Sequence, residues 1–246
     1  MMRGIILAAG RGTRLRPLTD SISKSLIPIC NKPMIHYPLS SLVLAGIKEI
    51  LIITNEEDQD SFMKVLGNGS KFGINLTYAV QYESKGIADA LIIGEEFISK
   101  NKVCLILGDN IFCSDDIGEI IIKASECDNE ATVFLYEVDK PQEFGVAEVD
   151  EKGKIISLEE KPLHPKSNYA VVGLYLYESS ACELARELKP SARGELEITD
   201  LNRVYMERGS LHSVRMKGKN IWVDAGTFDS LDIARQIIKD AEMRKK

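Results

Sequence analysis

The first half of the chain alternates short apolar segments with segments of helical periodicity, and this rhythm constrains the fold more than any other feature. The apolar segments span residues 3–9, 49–53, 75–81 and 102–107. They are rich in β-branched residues and nearly continuous in apolar character, which is typical of strands covered on both faces of a sheet. Helical segments fill the gaps at residues 34–46, 56–66 and 86–98. This order predicts right-handed βαβ crossovers and a parallel sheet of the doubly wound α/β class, with its ligand site beyond the carboxyl ends of the strands.

The second half of the chain is richer in strands. Strands are predicted at residues 132–138, 145–149, 155–159, 169–177, 211–216 and 220–223, with a hairpin turn over residues 150–153. Helices are predicted at residues 179–188 and 197–208, and a last helix begins at Ser230. The basic tail at residues 244–246 is expected to be disordered. No Ser-, Gly- or Pro-rich linker interrupts the chain, which predicts a single domain.

Composition argues against several classes of protein. The chain has 246 residues and a formal net charge of -6, which disfavours a surface that holds nucleic acid by bulk attraction. Its apolar runs fall far short of the ~20 residues that span a bilayer, and its N-terminus has no signal-peptide pattern. The five cysteines include no Cys-x-x-Cys pair and the three histidines are scattered. These features predict a cytoplasmic protein without a structural zinc site or a disulfide framework.

The segment that leaves the first predicted strand, residues 7–19, carries the clearest chemical signal. Gly10 and Gly12 allow backbone conformations that other residues resist, so consecutive N–H groups can converge on a phosphate, to which Arg14 adds a charged donor. We interpret the segment as a cradle for a triphosphate. It is not a Walker A loop, and it lacks the third glycine of the dinucleotide fingerprint. Two glycines alone are more typical of a tight turn, but the Arg, Thr, Pro and Lys residues around them favour the cradle.

Residues 7–19 (LAAGRGTRLRPLT) and 24–35 (KSLIPICNKPMI) together resemble the signature of the sugar nucleotidyltransferases, also called sugar-nucleotide pyrophosphorylases. Five later segments narrow the resemblance to the glucose-1-phosphate thymidylyltransferases, namely LGDNIF (107–112), LEEKP (158–162), SNYAVVGLY (167–175), SARGELEITD (191–200) and WVDAGT (222–227). The resemblance covers essentially the whole chain in order. It implies a three-layer, Rossmann-like nucleotidyltransferase fold with a mixed central sheet. Within it, residues 1–110 would form the nucleotide-binding part, residues 111–228 a β-rich sugar-phosphate-binding part, and residues 229–246 the C-terminal helix.

The resemblance also implies a reaction. dTTP and glucose 1-phosphate would give dTDP-glucose and pyrophosphate, with Mg²⁺ as cofactor. The sugar-phosphate oxygen would attack the α-phosphorus in line with the leaving pyrophosphate, so no protein nucleophile is needed. Alternatives are UTP in place of dTTP, another sugar 1-phosphate, or a non-catalytic regulatory subunit that binds a sugar nucleotide. A dehydrogenase is disfavoured because the dinucleotide fingerprint is absent.

The resemblance assigns roles to particular residues. It assigns the metal to Asp109 and Asp224, which both follow short apolar strands, although each aspartate alone would also suit a turn or a helix cap. It assigns nucleotide binding to Leu7, Ala8, Ala9, Gly10, Gly12, Thr13, Arg14, Lys24, Gln81, Gly86 and Asp109. It assigns sugar-phosphate binding to Asn110, Phe144, Gly145, Glu160, Lys161, Val172, Arg193 and Trp222. The catalytic set is Arg14, Lys24, Asp109 and Lys161.

Some of these assignments rest on side-chain chemistry as well. The amide of Gln81 can pair with the donor and acceptor edge of thymine or uracil, and Gly86 would let backbone approach the ring. Arg14 and Lys24 would contact the triphosphate, while Lys161 and Arg193 would contact the sugar phosphate. Trp222 would form an apolar wall of the sugar pocket or belong to the core, and the sequence leaves both readings open.

The sequence departs from the family pattern in two places. Phe144 stands where many members have a tyrosine, so one hydroxyl contact is missing. The chain ends soon after the helix that follows Asp224, whereas longer members continue with further helices that help form an allosteric site and a subunit interface. End-product feedback and tetramer assembly therefore do not carry over by resemblance. We still expect a homo-oligomer, with no nucleic-acid or membrane partner.

Overall fold

The computed structural model describes residues 2–114, 116–218 and 220–244. Within these ranges the chain forms thirteen strands: β1 (Met2–Leu7), β2 (Pro28–Ile29), β3 (Lys32–Pro33), β4 (Glu49–Thr54), β5 (Asn75–Val80), β6 (Lys102–Leu107), β7 (Asn110–Cys113), β8 (Ala131–Glu137), β9 (Gly145–Val149), β10 (Ile155–Glu160), β11 (Tyr169–Tyr177), β12 (Leu211–Arg215) and β13 (Ile221–Asp224). The same ranges contain eight α-helices: α1 (His36–Leu44), α2 (Gln59–Leu66), α3 (Asp89–Ile93), α4 (Glu95–Ile98), α5 (Ile117–Ser125), α6 (Ala181–Glu187), α7 (Ile198–Glu207) and α8 (Phe228–Arg244).

The chain divides into two compact units. One, here called the parallel-sheet unit, comprises Gly4–Glu83, Ile106–Ile121 and Gly218–Lys246. The other, here called the β-rich unit, comprises Met1–Arg3, Ser84–Leu105 and Ile122–Lys217. The division of the chain by substrate, with a boundary after residue 110, stays a prediction.

The parallel-sheet unit is built from the predicted βαβ crossovers. β1 runs parallel to β4 with Leu7 opposite Ile53, and β4 runs parallel to β5 with Thr54 opposite Val80. The strand ends therefore meet at one edge, where loops can present side chains to a ligand. Beside this sheet, β7 and β13 form a separate antiparallel pair that packs against α8. One buried hydrophobic cluster of this unit comprises Leu15, Ile27, Ile29, Met34, Tyr37, Ile111, Val223, Ala225, Leu231, Ala234 and Ile238.

The β-rich unit contains antiparallel pairs. β11 pairs with β8 and β9, and β9 pairs with β10, all antiparallel, while β12 runs parallel to β8. The predicted hairpin turn lies between β9 and β10, where the carboxylate of Asp150 accepts hydrogen bonds from the backbone N–H groups of Lys152 and Lys154 at 2.9 Å each. The α/β class with a mixed sheet is confirmed.

The structure corrects several predicted elements. The helix predicted over residues 86–98 begins only at Asp89 and is divided at Gly94 into α3 and α4. Neither β7 nor α5 was predicted from the sequence. β7 begins at Asn110 and has only four residues, which is too few for its periodicity to be recognised. In the C-terminal tail, Arg244 ends α8, while Lys245 and Lys246 lie outside the described residues. Across the described ranges, no helix is both long and apolar enough to cross a membrane.

Candidate active site

The loop after β1 is fixed at the sheet edge and folds over Lys24. The N–H of Ala8 donates to the carbonyl of Ile53 at 2.7 Å. Gly12 has φ +60, and a Cβ built there would lie 2.9 Å from Thr19 Cγ2 and 3.1 Å from Lys24 Cβ. The hydroxyl of Thr19 donates to the carbonyl of Gly12 at 2.8 Å. Glycine is therefore required at position 12 by both conformation and space.

Lys24 forms a buried ion pair with Asp109. The ammonium of Lys24 donates to Asp109 Oδ2, and only 9% of the Asp109 surface is exposed. Burial raises the pKa of Asp109, but the charge and hydrogen bond of Lys24 outweigh burial and hold the pKa below its usual value. Burial lowers the pKa of Lys24, while the charges of Asp109 and Asp224 raise it and prevail. The pair is therefore held in its charged form.

Asp224 lies directly beside Asp109. The pairing of β13 with β7 places Asp224 opposite Asn110, and the N–H of Ala225 donates to the backbone carbonyl of Asp109 at 2.9 Å. Burial and then the negative charge of Asp109 raise the pKa of Asp224 to about 7, against the opposing charges of Lys24 and Arg14. The Oδ1 atom of Asp224 is buried and accepts no hydrogen bond. Two carboxylates from distant parts of the chain thus meet at one point.

The guanidinium of Arg14 lies against Gly226, next to the carboxylate of Asp224. A Cβ built on Gly226 would lie 2.6 Å from Arg14 Nη2 and 3.0 Å from Asp224 Oδ1. The absence of a side chain at Gly226 leaves room for the guanidinium in this position. Arg14, Lys24 and Asp224 therefore surround one small volume with two cations and one unsatisfied carboxylate oxygen.

The chemistry of this donor set fits a magnesium ion. Mg²⁺ prefers oxygen ligands and usually takes one or two protein carboxylates, completing its shell with substrate phosphates and water. Asp109 and Asp224 supply such carboxylates, and the buried Oδ1 of Asp224 is an acceptor without a donor. In the part of the chain that the structure describes, no group of three or more His, Cys, Asp or Glu side chains could hold a metal. Substrate phosphates and water would supply the other oxygens of the ion's shell.

Asn110 and Trp222 are hydrogen-bonded in series with Asp109 inside the parallel-sheet unit. Asn110 Nδ2 donates to Asp109 Oδ1 at 3.0 Å, and Trp222 Nε1 donates to Asn110 Oδ1 at 2.7 Å. The resemblance implied that both side chains contact the sugar. Trp222 is buried here, and its role at the sugar pocket stays a prediction.

Gln81 follows directly after the end of β5, at the same sheet edge. It is buried, and its backbone N–H donates to the carbonyl of Thr54 at 2.8 Å. This position agrees with the expected location of a base-recognising amide, and that role stays a prediction.

A second cluster of predicted residues lies in the β-rich unit, around Glu160. A Cβ built on Gly145 would lie 3.3 Å from Glu160 Oε2 and 3.0 Å from Thr199 Oγ1, and the Thr199 hydroxyl donates to Glu160 Oε2 at 2.6 Å. Lys161 has φ +43, a conformation rare for residues with side chains, and its N–H donates to the carbonyl of Phe144 at 3.0 Å. Its ammonium lies 3.9 Å from Glu160 Oε1. Four predicted residues are therefore brought together here.

Arg193 joins this cluster through several carboxylates. Its Nε and Nη2 donate to the two oxygens of Glu197, at 3.2 and 2.8 Å, and Nη2 also lies 3.3 Å from Glu160 and 3.5 Å from Glu195. Burial lowers the pKa of Arg193, whereas the hydrogen bonds and charge of Glu197 raise it and prevail. A phosphate that binds Arg193 must compete with these carboxylates. Glu197 and Thr199 were not among the predicted site residues, although both belong to the same segment as Arg193 and Glu197 lies four residues after it.

Gly86 has a clear packing role. Its φ is +96, and a Cβ built there would lie 2.5 Å from the carbonyl oxygen and 2.9 Å from the nitrogen of Leu196. The N–H of Leu196 donates to the carbonyl of Lys85 at 2.6 Å. The glycine is thus required by close backbone contact, whether or not a base also approaches it. Val172 is fully buried in β11, and its role at the sugar phosphate stays a prediction.

The fold and the cluster around Asp109 agree with a family match. The chain belongs to the nucleotidyl transferase family, whose sequence profile it matches over residues 3–240. Proteins named glucose-1-phosphate thymidylyltransferase are similar over almost the whole chain. That of Neisseria meningitidis serogroup A is 53% identical, covering 98% of this chain and 84% of the relative, and that of Xanthomonas campestris is 49% identical, covering 99% and 82%.

Solved structures match as well. A candidate glucose-1-phosphate thymidylyltransferase from Bacillus anthracis, crystallised with sucrose, superposes with a TM-score of 0.91 at 45% identity, covering 98% of this chain and 96% of that one. A UDP-glucose pyrophosphorylase complexed with UDP-glucose superposes with a TM-score of 0.82 at 26% identity over all of both chains. These matches confirm the Rossmann-like nucleotidyltransferase fold.

Proposed function

We propose that the protein is a magnesium-dependent glucose-1-phosphate thymidylyltransferase, which converts dTTP and glucose 1-phosphate to dTDP-glucose and pyrophosphate. The observation that carries the proposal is the buried cluster in which Asp109 and Asp224 meet Lys24. The names of the relatives at 46–53% identity support the choice of substrates. The proposal places the protein in sugar-nucleotide biosynthesis, as a cytoplasmic homo-oligomer.

The cluster would hold the nucleotide for an in-line displacement at the α-phosphorus. Lys24 and Arg14 would neutralise the triphosphate, and the backbone N–H groups of the glycine loop would orient it. Asp109 and Asp224 would hold magnesium, which supplies charge neutralisation at the phosphates. Because the Lys24 ammonium is kept protonated by its carboxylate neighbours, it would offer a full positive charge to the leaving pyrophosphate.

The cluster in the β-rich unit would hold the sugar phosphate. Lys161 and Arg193 are its cations, and both contact Glu160. A phosphate dianion that attracts the two cations would release Glu160 to accept hydrogen bonds from sugar hydroxyls. Positioning of this kind needs no covalent intermediate, because the phosphate oxygen of the substrate is itself the nucleophile.

A substrate panel tests the proposal. Pyrophosphate release would be measured for dTTP, UTP and ATP, each with glucose 1-phosphate and with other sugar 1-phosphates. We expect the highest kcat/KM for dTTP with glucose 1-phosphate, and loss of activity when EDTA removes the divalent ions, because the phosphates would then lose their main neutralising charge. Binding of dTDP-glucose without turnover of any pair would instead support the non-catalytic regulatory subunit.

UTP is the second candidate nucleotide. The structural similarity to a UDP-glucose pyrophosphorylase favours it, and an amide such as that of Gln81 pairs equally well with uracil and thymine. A higher kcat/KM for UTP than for dTTP would make the protein a uridylyltransferase with the same site chemistry.

Lys161→Met is expected to raise the KM for glucose 1-phosphate about tenfold and to leave the KM for dTTP within twofold. Methionine is unbranched and only one heavy atom shorter than lysine but carries no charge, and loss of one charged phosphate contact corresponds to roughly 1.5 kcal/mol. The measurement is a pair of steady-state titrations with one substrate saturating.

The matched control for this prediction is Lys166→Met. Lys166 is an exposed lysine five residues further on, paired with Glu159 at 2.6 Å. It should leave both KM values unchanged. A larger change in the KM for dTTP than for glucose 1-phosphate in Lys161→Met would show that the two phosphate subsites have been exchanged in our assignment.

A further inference from the structure

Two buried hydrogen bonds in series, here called the hydrogen-bond relay, connect Trp222 to Asp109 through Asn110. The Trp222 N–H donates to Asn110 Oδ1, and the Asn110 amide group donates to Asp109 Oδ1. The remaining oxygen of Asp109, Oδ2, accepts from Lys24. All three residues of the hydrogen-bond relay are nearly inaccessible, with exposed fractions of 7% for Trp222, 2% for Asn110 and 9% for Asp109.

The direction of donation in the hydrogen-bond relay is set by the chemistry of tryptophan. An indole N–H can only donate, so it requires the oxygen of the Asn110 amide on its side. The amide nitrogen of Asn110 must then face Asp109, where it donates to the carboxylate. In the opposite orientation the amide oxygen would face the negative charge of Asp109 and the amide nitrogen would face the indole N–H, and both contacts would be repulsive.

The backbone holds both ends of the hydrogen-bond relay, Trp222 and Asp109, in place. In the antiparallel pair of β7 and β13, Trp222 lies opposite Phe112 and Asn110 lies opposite Asp224. The Ala225 N–H also donates to the backbone carbonyl of Asp109. The strand pair that brings Asp224 to Asp109 therefore also brings the indole to the amide.

We propose that Trp222, acting through Asn110, is a positioning residue that fixes the carboxylate of Asp109 for the divalent cation of a nucleoside triphosphate complex. The inference rests on the proposed function, because it assigns Asp109 to that cation. Outer partners of metal ligands restrict ligand orientation, and their loss typically lowers metal affinity or activity 10- to 100-fold. This role differs from that of a wall of the sugar pocket, which would act on the sugar phosphate.

The test variant is Trp222→Phe, which retains an aromatic ring and removes the N–H. Mn²⁺ would be titrated into protein with dTTP but without sugar phosphate, and free Mn²⁺ would be followed by its electron paramagnetic resonance signal. We expect the dissociation constant of Mn²⁺ to rise about tenfold. The KM for glucose 1-phosphate, measured at saturating Mg²⁺, should stay within twofold of wild type.

A double-mutant cycle tests the route through the amide. Asn110→Ala should weaken Mn²⁺ binding to a similar extent, and adding Trp222→Phe to it should change the dissociation constant less than twofold, because the indole would no longer act on Asp109. The same variant also provides the test if Trp222→Phe does not fold. Independent, additive effects of the two substitutions would contradict the relay.

The matched control is Tyr177→Phe. Tyr177 is a buried aromatic residue of the β-rich unit whose hydroxyl donates to Asn202 Oδ1 at 2.6 Å, the same kind of bond at another place. It should lower the unfolding temperature by a few degrees and leave Mn²⁺ binding unchanged. Mn²⁺ affinity like that of wild type in Trp222→Phe overturns the inference, as does an increase only in the KM for glucose 1-phosphate.

The same experiments separate the inference from the proposed function. Wild-type protein that makes dTDP-glucose and retains Mn²⁺, with Trp222→Phe behaving identically, contradicts the positioning role alone. Wild-type protein that neither turns over any substrate pair nor retains Mn²⁺ in the presence of dTTP contradicts both.

Discussion

Asp109→Asn is expected to lower kcat by at least a hundredfold, which corresponds to about 3 kcal/mol for one key electrostatic contact. Asparagine has nearly the same shape as aspartate but brings no negative charge, so it would neither hold a divalent cation nor balance Lys24. The buried ammonium of Lys24 would then rely on Asp224 alone. Initial rates at saturating dTTP, glucose 1-phosphate and Mg²⁺ provide the measurement, with thermal unfolding as a check on the fold.

The control for this substitution is Asp232→Asn. Asp232 lies on the exposed side of α8, where its carboxylate accepts from Arg235 at 2.8 Å. The Asp232→Asn variant loses one negative charge and one ion pair in the same unit as Asp109→Asn does, and it should keep near-normal activity. If Asp109→Asn is also near-normal in activity, the assignment of Asp109 to the metal is wrong.

Gly86→Ala is expected to lower the free energy of unfolding by about 3 kcal/mol. A side chain at φ +96 costs roughly 1–2 kcal/mol, and a Cβ that lies 2.5 Å from a backbone oxygen forces a shift that costs 1–3 kcal/mol more. For a chain of this length the unfolding midpoint should fall by roughly 6–12 °C. Calorimetry at several scan rates provides the measurement.

Gly209→Ala separates the two contributions to this loss. Gly209 has φ +72, and nothing lies within 4 Å of a Cβ built there, so only the conformational strain applies. Its loss of stability should be about 1 kcal/mol. Equal losses for the two variants would mean that the backbone around Leu196 moves aside without cost, and that contact with this backbone does not explain the glycine at position 86.

The four long strands of the first half, β1, β4, β5 and β6, were predictable because their signals are local. The apolar run of β4 and the stop at Gly46, which has φ +74, depend on neighbouring residues along the chain. The glycine loop was likewise recognisable, since the need for glycine at position 12 is a local conformational requirement. The start of the helix at Asp89 was not predictable, because Gly86 is held by the backbone of Leu196 from a distant segment.

The candidate site was predictable in its residue types but not in its connections. Asp109 and Asp224 were recognised from motifs, and the structure brings their carboxylates together. The bond from Trp222 to Asn110 had no signal in the sequence, because a tryptophan between apolar residues is equally typical of a core and of a ligand wall. The ring of carboxylates around Arg193 was also missed, since partners of a charged side chain are chosen by proximity in space.

The amino-acid sequence by itself determined the alternation of the long strands with helices, the glycine loop, and the family to which the chain belongs. These properties follow from periodicity, from backbone conformations open only to glycine, and from the order of motifs along the chain. Only the tertiary structure decided that β7 pairs with β13, that Lys24 pairs with Asp109 and that Trp222 bonds to Asn110. Pairing between distant segments depends on which buried polar groups can satisfy one another, and that is settled only when the whole chain has packed.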